Sequence, residues 1–161
     1  MNKELFVGID PSLTGTGLTI LDKDFECVKQ QLICTTKRNG DIQDIEHRLI
    51  YITKQLEVLL EYKSDIKLIL IEGLSYNSKG ESGAQLAALH YFIRIWLLQH
   101  DLTYDVAPPT TLKKFVSGKG NCKKEIMIKE IYKKWGVDFN DNNLADSYGL
   151  ARLAQYKYGE K

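Results

Sequence analysis

The stretch LFVGIDPSLTGTGLTIL, residues 5–21, decides how the rest of the chain is interpreted. From residue 5 to residue 9 both odd and even positions are largely apolar, a pattern typical of a strand buried on both faces at the centre of a sheet. Asp10 ends this strand, the segment from Pro11 to Gly17 predicts a turn, and a second apolar strand begins at Leu18. A carboxylate is therefore held at the end of a buried strand, beside glycines.

The remaining pattern predicts a meander followed by alternating strands and helices. After the strand at 27–34, helices are expected at 44–62, 84–100, 110–116, 123–135 and 143–158, and strands at 67–72 and 104–108. This order predicts an α/β fold with a mixed five-stranded sheet flanked by helices. Because 161 residues suit one hydrophobic core, residues 1–161 are expected to form a single domain.

Two of the helices carry further expectations. The helix at 84–100 is rich in alanine and is expected to be well buried; its segment from Ala84 to Trp96 is a candidate subunit interface, with simple core packing as the alternative. Thr110 or Thr111 is expected to cap the short helix that follows.

Composition excludes several classes of protein. Cys27, Cys34 and Cys122 form no CxxC pair, which disfavours a zinc site or a disulfide framework. No apolar run approaches the ~20 residues of a membrane helix. The chain is expected to be cytoplasmic, with reduced thiols, no membrane contact and no small-molecule cofactor.

Charge is distributed unevenly along the chain. The formal net charge is +1, yet the segment between Leu112 and Trp135 holds eight lysines against two glutamates, a local charge of +6. A surface of one sign can attract phosphate backbones, and the alternative is an ordinary solvated helix surface.

Three acids share a context. Asp10 ends the first strand, Glu72 ends the fourth, and Asp146 is expected in the first turn of the last helix. The first two acids could instead be a turn acceptor and an ion-pair partner. Adjacent parallel strands, however, place their carboxyl ends together, and carboxylates held close repel unless a cation lies between them. Hard cations such as Mg²⁺ prefer this donor set, and the nearby glycines would let a phosphate chain approach.

The start of the last helix allows two interpretations. Asn143 and Asp146 are three residues apart, so they resemble a helix-capping arrangement that the helix dipole would favour. The same spacing puts both side chains on one face, where they could point towards a metal. Asp141 is an alternative ligand.

With these residues assembled, the chain resembles the RuvC family of Holliday-junction resolvases, more closely its phage-encoded branch. Four blocks in family order carry the resemblance, GIDPSLTGTG from Gly8, LILIEGL from Leu68, PPTTLKKFVSGKGNCKKE from Pro108 and NNLADSYGLA from Asn142. They extend over essentially the whole chain.

The resemblance implies an RNase H-like fold, a homodimer, and metal-dependent nicking of four-way DNA junctions. It implies Mg²⁺, with Mn²⁺ as an alternative, and two ions per site. Asp10, Glu72 and Asp146 match the acidic metal ligands of the family, and Asn143 is a further candidate ligand at a position where this chain departs from the family pattern. Lys113 and Lys124 look like the basic residues near the scissile phosphate, with Lys124 as the catalytic cation. The candidate DNA-binding residues are Lys113, Lys114, Lys119, Lys123 and Tyr76, the last of which lies about one position from where relatives carry an aromatic residue. Many cellular members carry an acid or a histidine at position 143, whereas Asn143 would bind a metal through a neutral carbonyl oxygen.

Other functions fit parts of this pattern. A nuclease of the same superfamily acting on RNA or on other branched DNA is one alternative. A catalytically weak junction-binding module, suggested by Asn143, is another. The opening block also resembles the phosphate loop of actin-like ATPases and sugar kinases, which need two such domains and a longer chain.

Overall fold

The computed structural model describes residues 4–61, 63–75 and 80–159. The elements follow the predicted order and are β1 (Leu5–Asp10), β2 (Gly15–Asp22), β3 (Cys27–Cys34), α1 (Asp44–Leu59), β4 (Ile66–Glu72), α2 (Gly80–Gln99), β5 (Tyr104–Ala107), α3 (Pro109–Ser117), α4 (Lys124–Trp135) and α5 (Asn142–Gly159). A 3₁₀ turn, Lys63–Asp65, precedes β4. None of the described helices combines the length and apolarity required to cross a bilayer.

The sheet is mixed and five-stranded, as predicted, with the order β3-β2-β1-β4-β5. Strands β1, β2 and β3 pair antiparallel, whereas β4 is parallel to β1 and β5 is parallel to β4. Ile9 pairs with Ile71 across β1 and β4. The next residues along these two strands, Asp10 and Glu72, therefore lie at the same edge of the sheet.

The two faces of the sheet bury different sets of side chains. Leu5, Val7 and Ile9 join one core cluster with residues of α1 and α2. Phe6 on the same strand joins the other cluster, which includes residues of α3, α4 and α5. This alternation is the period of two expected of a strand, and it explains why β1 is buried throughout.

Helix α5 packs on β1 and β2 through their backbones. A Cβ atom added to Gly8 would lie 2.6 Å from the Ala151 nitrogen, and one added to Gly17 would lie 2.6 Å from the Asn143 carbonyl carbon. Gly15 and Gly17 were predicted to lie in a turn open to phosphate, and this was wrong: both lie in β2, which starts at Gly15 and pairs with β1. At Gly17 the missing side chain makes room for a helix.

Helix α2 differs from its prediction in extent and burial. It begins at Gly80, four residues before the expected start. Only one of its faces is buried, while four large apolar side chains are well exposed, namely Tyr91 (54%), Phe92 (38%), Ile95 (52%) and Leu98 (63%). The expectation of a well-buried helix was therefore wrong. Helix α2 packs against the core with one side, and the described residues leave its other side exposed.

Helix α3 also begins differently. Its first residue is Pro109, and Pro108 occupies the capping position without a side-chain hydrogen bond. The predicted cap by Thr110 or Thr111 was wrong. Proline suits the first helical position because its fixed φ is helical and its missing N–H would have no partner there.

Candidate metal centre

Three carboxylates converge at the carboxyl edge of β1 and β4. Asp10, Glu72 and Asp146 each offer an oxygen, and these atoms all lie within 4.8 Å of one another. Asp10 is 6% exposed and the other two acids are partly buried. Parallel pairing of β1 with β4 accounts for the first two acids, whereas the third comes from α5, which crosses the sheet.

The position of Asp146 depends on how α5 is held. Its neighbour Ser147 is fully buried, and its hydroxyl lies 2.8 Å from the Thr19 hydroxyl on β2. Gln30 on β3 donates to the same Thr19 oxygen at 2.8 Å. One turn earlier on α5, the Asn143 amide nitrogen donates to the Gly15 carbonyl at 2.7 Å. Hydrogen bonds to β2 and the close approach at Gly8 and Gly17 thus fix the helix beside Asp10.

The cap of α5 differs from the prediction. The Leu144 N–H donates to the Asp141 carboxylate at 2.9 Å, and the helix begins at Asn142. Asp146 therefore lies beyond the first turn, and the expected capping arrangement of Asn143 with Asp146 was wrong. An acid directly before the first helical residue satisfies the free N–H groups of the helix start, so Asp141 has a structural role at this position.

Burial raises the pKa of all three acids. For Asp10, loss of solvent is the main cause, followed by the charges of Glu72 and Asp146, and its pKa lies well above the usual value. The pKa of Asp146 is raised to about 7, again chiefly by burial and then by Glu72. For Glu72, burial raises the pKa while a hydrogen bond from Asp10 and the charges of Lys124 and Lys113 oppose the rise. Without a cation, the cluster therefore holds its protons to higher pH than separate, solvated carboxylates would.

This donor set fits a hard divalent cation. Three carboxylates in one desolvated pocket repel one another, and a cation between them removes both the repulsion and the need for the protons. All the donors are oxygen atoms, which Mg²⁺ and Mn²⁺ accept and softer metals do not favour.

The predicted lysines divide into two groups. Lys113 on α3 and Lys124 at the start of α4 are close enough to lower the pKa values of Glu72 and Asp146. The other three, Lys114, Lys119 and Lys123, are exposed and perturb none of the three acids. Tyr76 lies outside the described residues.

Two supports of the site were not found by sequence reasoning. His90 is 3% exposed, and its Nε2 lies 3.1 Å from the main-chain oxygen of Glu72. Arg48, which is also buried, donates to the main-chain oxygen of Leu13 in the turn after Asp10 at 3.0 Å. The spacing of Asp44 and Arg48, four apart on α1, was a usable signal for the second support, whereas nothing local marks His90.

Comparison with known proteins places this site in a family. The model of the crossover junction endodeoxyribonuclease RuvC family matches residues 6–147, a range that contains all three acids. The chain belongs to the RuvC family. It is 30% identical over 152 residues to the crossover junction endodeoxyribonuclease RuvC of Rickettsia typhi, covering 91% of this chain and 94% of that relative. The corresponding protein of Rickettsia bellii is 30% identical over 125 residues, covering 77% and 78%.

Solved structures agree on the fold. Thermus thermophilus RuvC in complex with Holliday junction substrate superposes with a TM-score of 0.76, covering 98% of this chain and 94% of that chain at 14% identity. The yeast mitochondrial Holliday junction resolvase superposes with a TM-score of 0.67, covering 96% and 78% at 14% identity. The fold of this RuvC-family chain is therefore RNase H-like.

Proposed function

We propose that this RuvC-family chain is an endonuclease that resolves Holliday junctions by hydrolysing phosphodiester bonds at the Asp10–Glu72–Asp146 cluster. The observation that carries the proposal is the convergence of these three acids within 4.8 Å, in a chain whose family is that of crossover junction endodeoxyribonucleases. Phosphodiester hydrolysis needs stabilisation of the charge that develops on the phosphate. The desolvated carboxylates would supply it by holding cations, and the neighbouring lysines, Lys113 and Lys124, would add positive charge.

In this proposal the three acids and Asn143 would hold two Mg²⁺ ions, or Mn²⁺ in their place. Asn143 would contribute its side-chain carbonyl oxygen, the atom of an amide that binds a hard cation, while its amide nitrogen donates to the Gly15 carbonyl. The ions, when bound, would activate water and stabilise charge on the leaving oxygen. Lys124 and Lys113 would hold the scissile phosphate and offset its developing charge.

The substrate also has consequences for assembly. A four-way junction is cut on two opposed strands, which calls for two copies of the site related by a two-fold axis. Residues 1–161 would form one domain of each copy, and the copies would meet through the exposed apolar face of α2, formed by Tyr91, Phe92, Ile95 and Leu98. The same patch would meet itself in such an isologous pair.

The test is cleavage of a labelled synthetic four-way junction across a Mg²⁺ titration. The wild type should give paired, symmetric nicks. Asp10→Asn should bind the junction with unchanged affinity but cut it at least ~10³-fold more slowly, because the most buried carboxylate ligand is lost. The control is Asp138→Asn, an exposed acid outside the cluster, which should cut normally. A wild type that binds junctions and never cuts at any metal concentration would show a binding module instead.

Adjacent lysines on α3 give a second test of the same site. Lys113→Ala should lower the single-turnover cleavage rate about 100-fold, the scale seen when one group that stabilises transition-state charge is removed. Lys114→Ala should change the rate less than about threefold, since Lys114 is exposed and perturbs none of the acids. Equal effects at the two positions would remove Lys113 from the proposed site.

A further inference from the structure

A cavity with cationic side chains at its rim lies at the end of β3, separate from the acidic cluster. It has a volume of about 330 Å³ and is lined by Cys34 at the end of β3, by residues 35–38 that follow it, and by His47, Arg48 and Tyr51 on α1. We call it the β3–α1 cavity. The proposed reaction uses none of these residues.

Arg48 forms the rigid wall of the β3–α1 cavity. Its Nε donates to the Thr35 hydroxyl at 2.7 Å and its Nη1 to the Asp44 carboxylate at 3.3 Å. The other Asp44 oxygen accepts the Arg38 main-chain N–H at 2.8 Å. Arg48 and Asp44 are both more than nine-tenths buried, and their opposite charges offset each other. Their hydrogen bonds to Thr35 and to the Arg38 main chain hold the segment from Thr35 to Arg38 in place.

The charge left at the rim is positive. The side chains of Lys37 and Arg38 are exposed. The Asp41 carboxylate, 3.2 Å from His47 Nδ1, also interacts with the charge of Arg38 and offsets one of these two cations, so one positive charge remains in excess. Tyr51 is 47% exposed beside them and offers an aromatic face. Lys37 and Arg38 can contact phosphate groups, and the Tyr51 ring can pack against the sugar between them.

The cavity lies on the edge of the sheet that also carries the acids. Cys34 pairs with Gly15 across β2 and β3, and Asp10 pairs with Gly17 across β1 and β2. Since neighbouring strands are about 4.8 Å apart, β3 is displaced from Asp10 by about 10 Å. Arg48 and Thr35 both donate to the main-chain oxygen of Leu13, in the turn that follows Asp10, so the cavity and the acidic cluster share a support.

The two groups of cations flank the acids. Strand β3 is one edge of the sheet and β5 is the other, and α3, which carries Lys113, follows β5 directly. A nucleic acid strand held over Asp10 by Lys113 and Lys124 would therefore meet Lys37 and Arg38 on the far side. At a rise of about 3.4 Å per nucleotide, a 10 Å displacement corresponds to about three nucleotides.

We propose that the β3–α1 cavity binds the sugar-phosphate backbone of a DNA arm about three nucleotides from the bond that is cut. The inference rests on the proposed function for its ligand and deepens it by assigning a contact surface. Lys37 and Arg38 contact phosphates, and Tyr51 packs against the intervening sugar.

The cysteines of β3 provide a test within the unmodified protein. Cys34 lines the cavity, and Cys27 is exposed at the opposite end of the same strand. Alkylation by a neutral maleimide is followed with and without a saturating four-way junction, in EDTA so that nothing is cut. Trypsin cleaves after Lys23, Lys29 and Lys37, which separates the two thiols into fragments 24–29 and 30–37 for mass spectrometry.

DNA should slow alkylation of Cys34 at least about fivefold and leave the rate at Cys27 unchanged. A rate at Cys34 that is the same with and without bound DNA overturns the inference, as does equal protection of the two thiols. Because no cutting is needed, protection of Cys34 is scored independently of the proposed function, which fails separately if the wild type never nicks a junction in Mg²⁺.

A pair of variants provides the matching binding test. Lys37→Ala/Arg38→Ala keeps the main-chain hydrogen bond to Asp44 and should lower the slope of log affinity against log salt by about two per bound protomer. Lys23→Ala/Lys54→Ala removes the same charge at exposed positions outside the cavity and should leave the slope unchanged. Equal slopes for the two variants overturn the inference.

Discussion

The two faces of the sheet are packed in different ways. Helix α5 lies on β1 and β2 by backbone contact, at Gly8 and Gly17, with hydrogen bonds from Asn143 and Ser147 to β2. Helices α1 and α2 lie on the other face through interlocking aliphatic side chains such as Leu56. Backbone contact allows almost no adjustment, whereas side chains can change rotamer. The face that supplies Asp146 is therefore the more rigid one.

The difference separates two tasks. On the α5 face, close packing holds a carboxylate that must meet two others within 4.8 Å. On the α1–α2 face, α2 keeps a row of exposed apolar side chains, including Ile95 and Leu98, that does not contribute to its own core. One face positions the acidic cluster, and the other presents an exposed apolar surface.

The largest expected effect is at Gly17. Gly17→Ala would force a Cβ into the Asn143 carbonyl, and since a backbone clash has no rotamer solution, the free energy of unfolding should fall by more than about 3 kcal/mol. Gly15→Ala is the control two residues away, where the nearest atom is Leu32 Cδ1 at 3.3 Å and can move. Its cost should stay below about 1 kcal/mol. Urea unfolding measures both variants, and equal costs would show that α5 is not held by backbone contact.

A smaller effect is expected from the pKa of Asp146. Its folded pKa is about 7 against 3.8 for the unperturbed group, so between these values the folded chain binds more protons than the unfolded one. The contribution of Asp146 to the stability of the metal-free protein should therefore be largest at and below about pH 4 and be lost as pH rises through about 7. The full shift corresponds to about 4 kcal/mol at pH 8. Because the buried Asn amide keeps part of the desolvation cost, Asp146→Asn should stabilise the metal-free protein at pH 8 by about half of that, roughly 2 kcal/mol.

Thermal unfolding across pH, with and without Mg²⁺, tests this prediction. Mg²⁺ should stabilise the wild type more at pH 8 than at pH 6, because the cation competes with protons for the same oxygens. Asp138→Asn, an exposed acid, should behave as the wild type. A metal-free wild type whose stability rises between pH 4 and pH 7 to the same extent as that of Asp146→Asn would contradict the buried cluster.

The smallest effect on folding is expected on α2. Ile95→Glu lies on the exposed face and should change the free energy of unfolding of the single chain by less than about 0.5 kcal/mol. If this face joins two copies, the same change should weaken the dimer at least tenfold by sedimentation. Val58→Glu on α1, 64% exposed, is the control. Identical masses for wild type and Ile95→Glu over a concentration series would exclude α2 as the interface.

Much of the fold could be predicted because its signals are local. The alternation from Leu5 to Ile9, the apolar run before Glu72 and the helical spacing along α1 each need only a few neighbouring residues. The errors occurred at positions where contacts distant in sequence compete with local pattern. The start of α5 depends on the Asp141 side chain, and the burial of α2 depends on which elements the sheet places against it.

The candidate site also has one part that local sequence pattern predicted and one part that tertiary contacts decided. Strand periodicity alone placed Asp10 and Glu72 at strand ends, because a period of two is a property of the extended backbone. Their meeting with Asp146 was decided by tertiary contacts, since Gly8 and Gly17 touch residues of α5 more than 120 positions away in the chain. No local pattern records such an approach: glycine is compatible with a turn, a strand or a helix contact, and only the packed chain selects one of these roles.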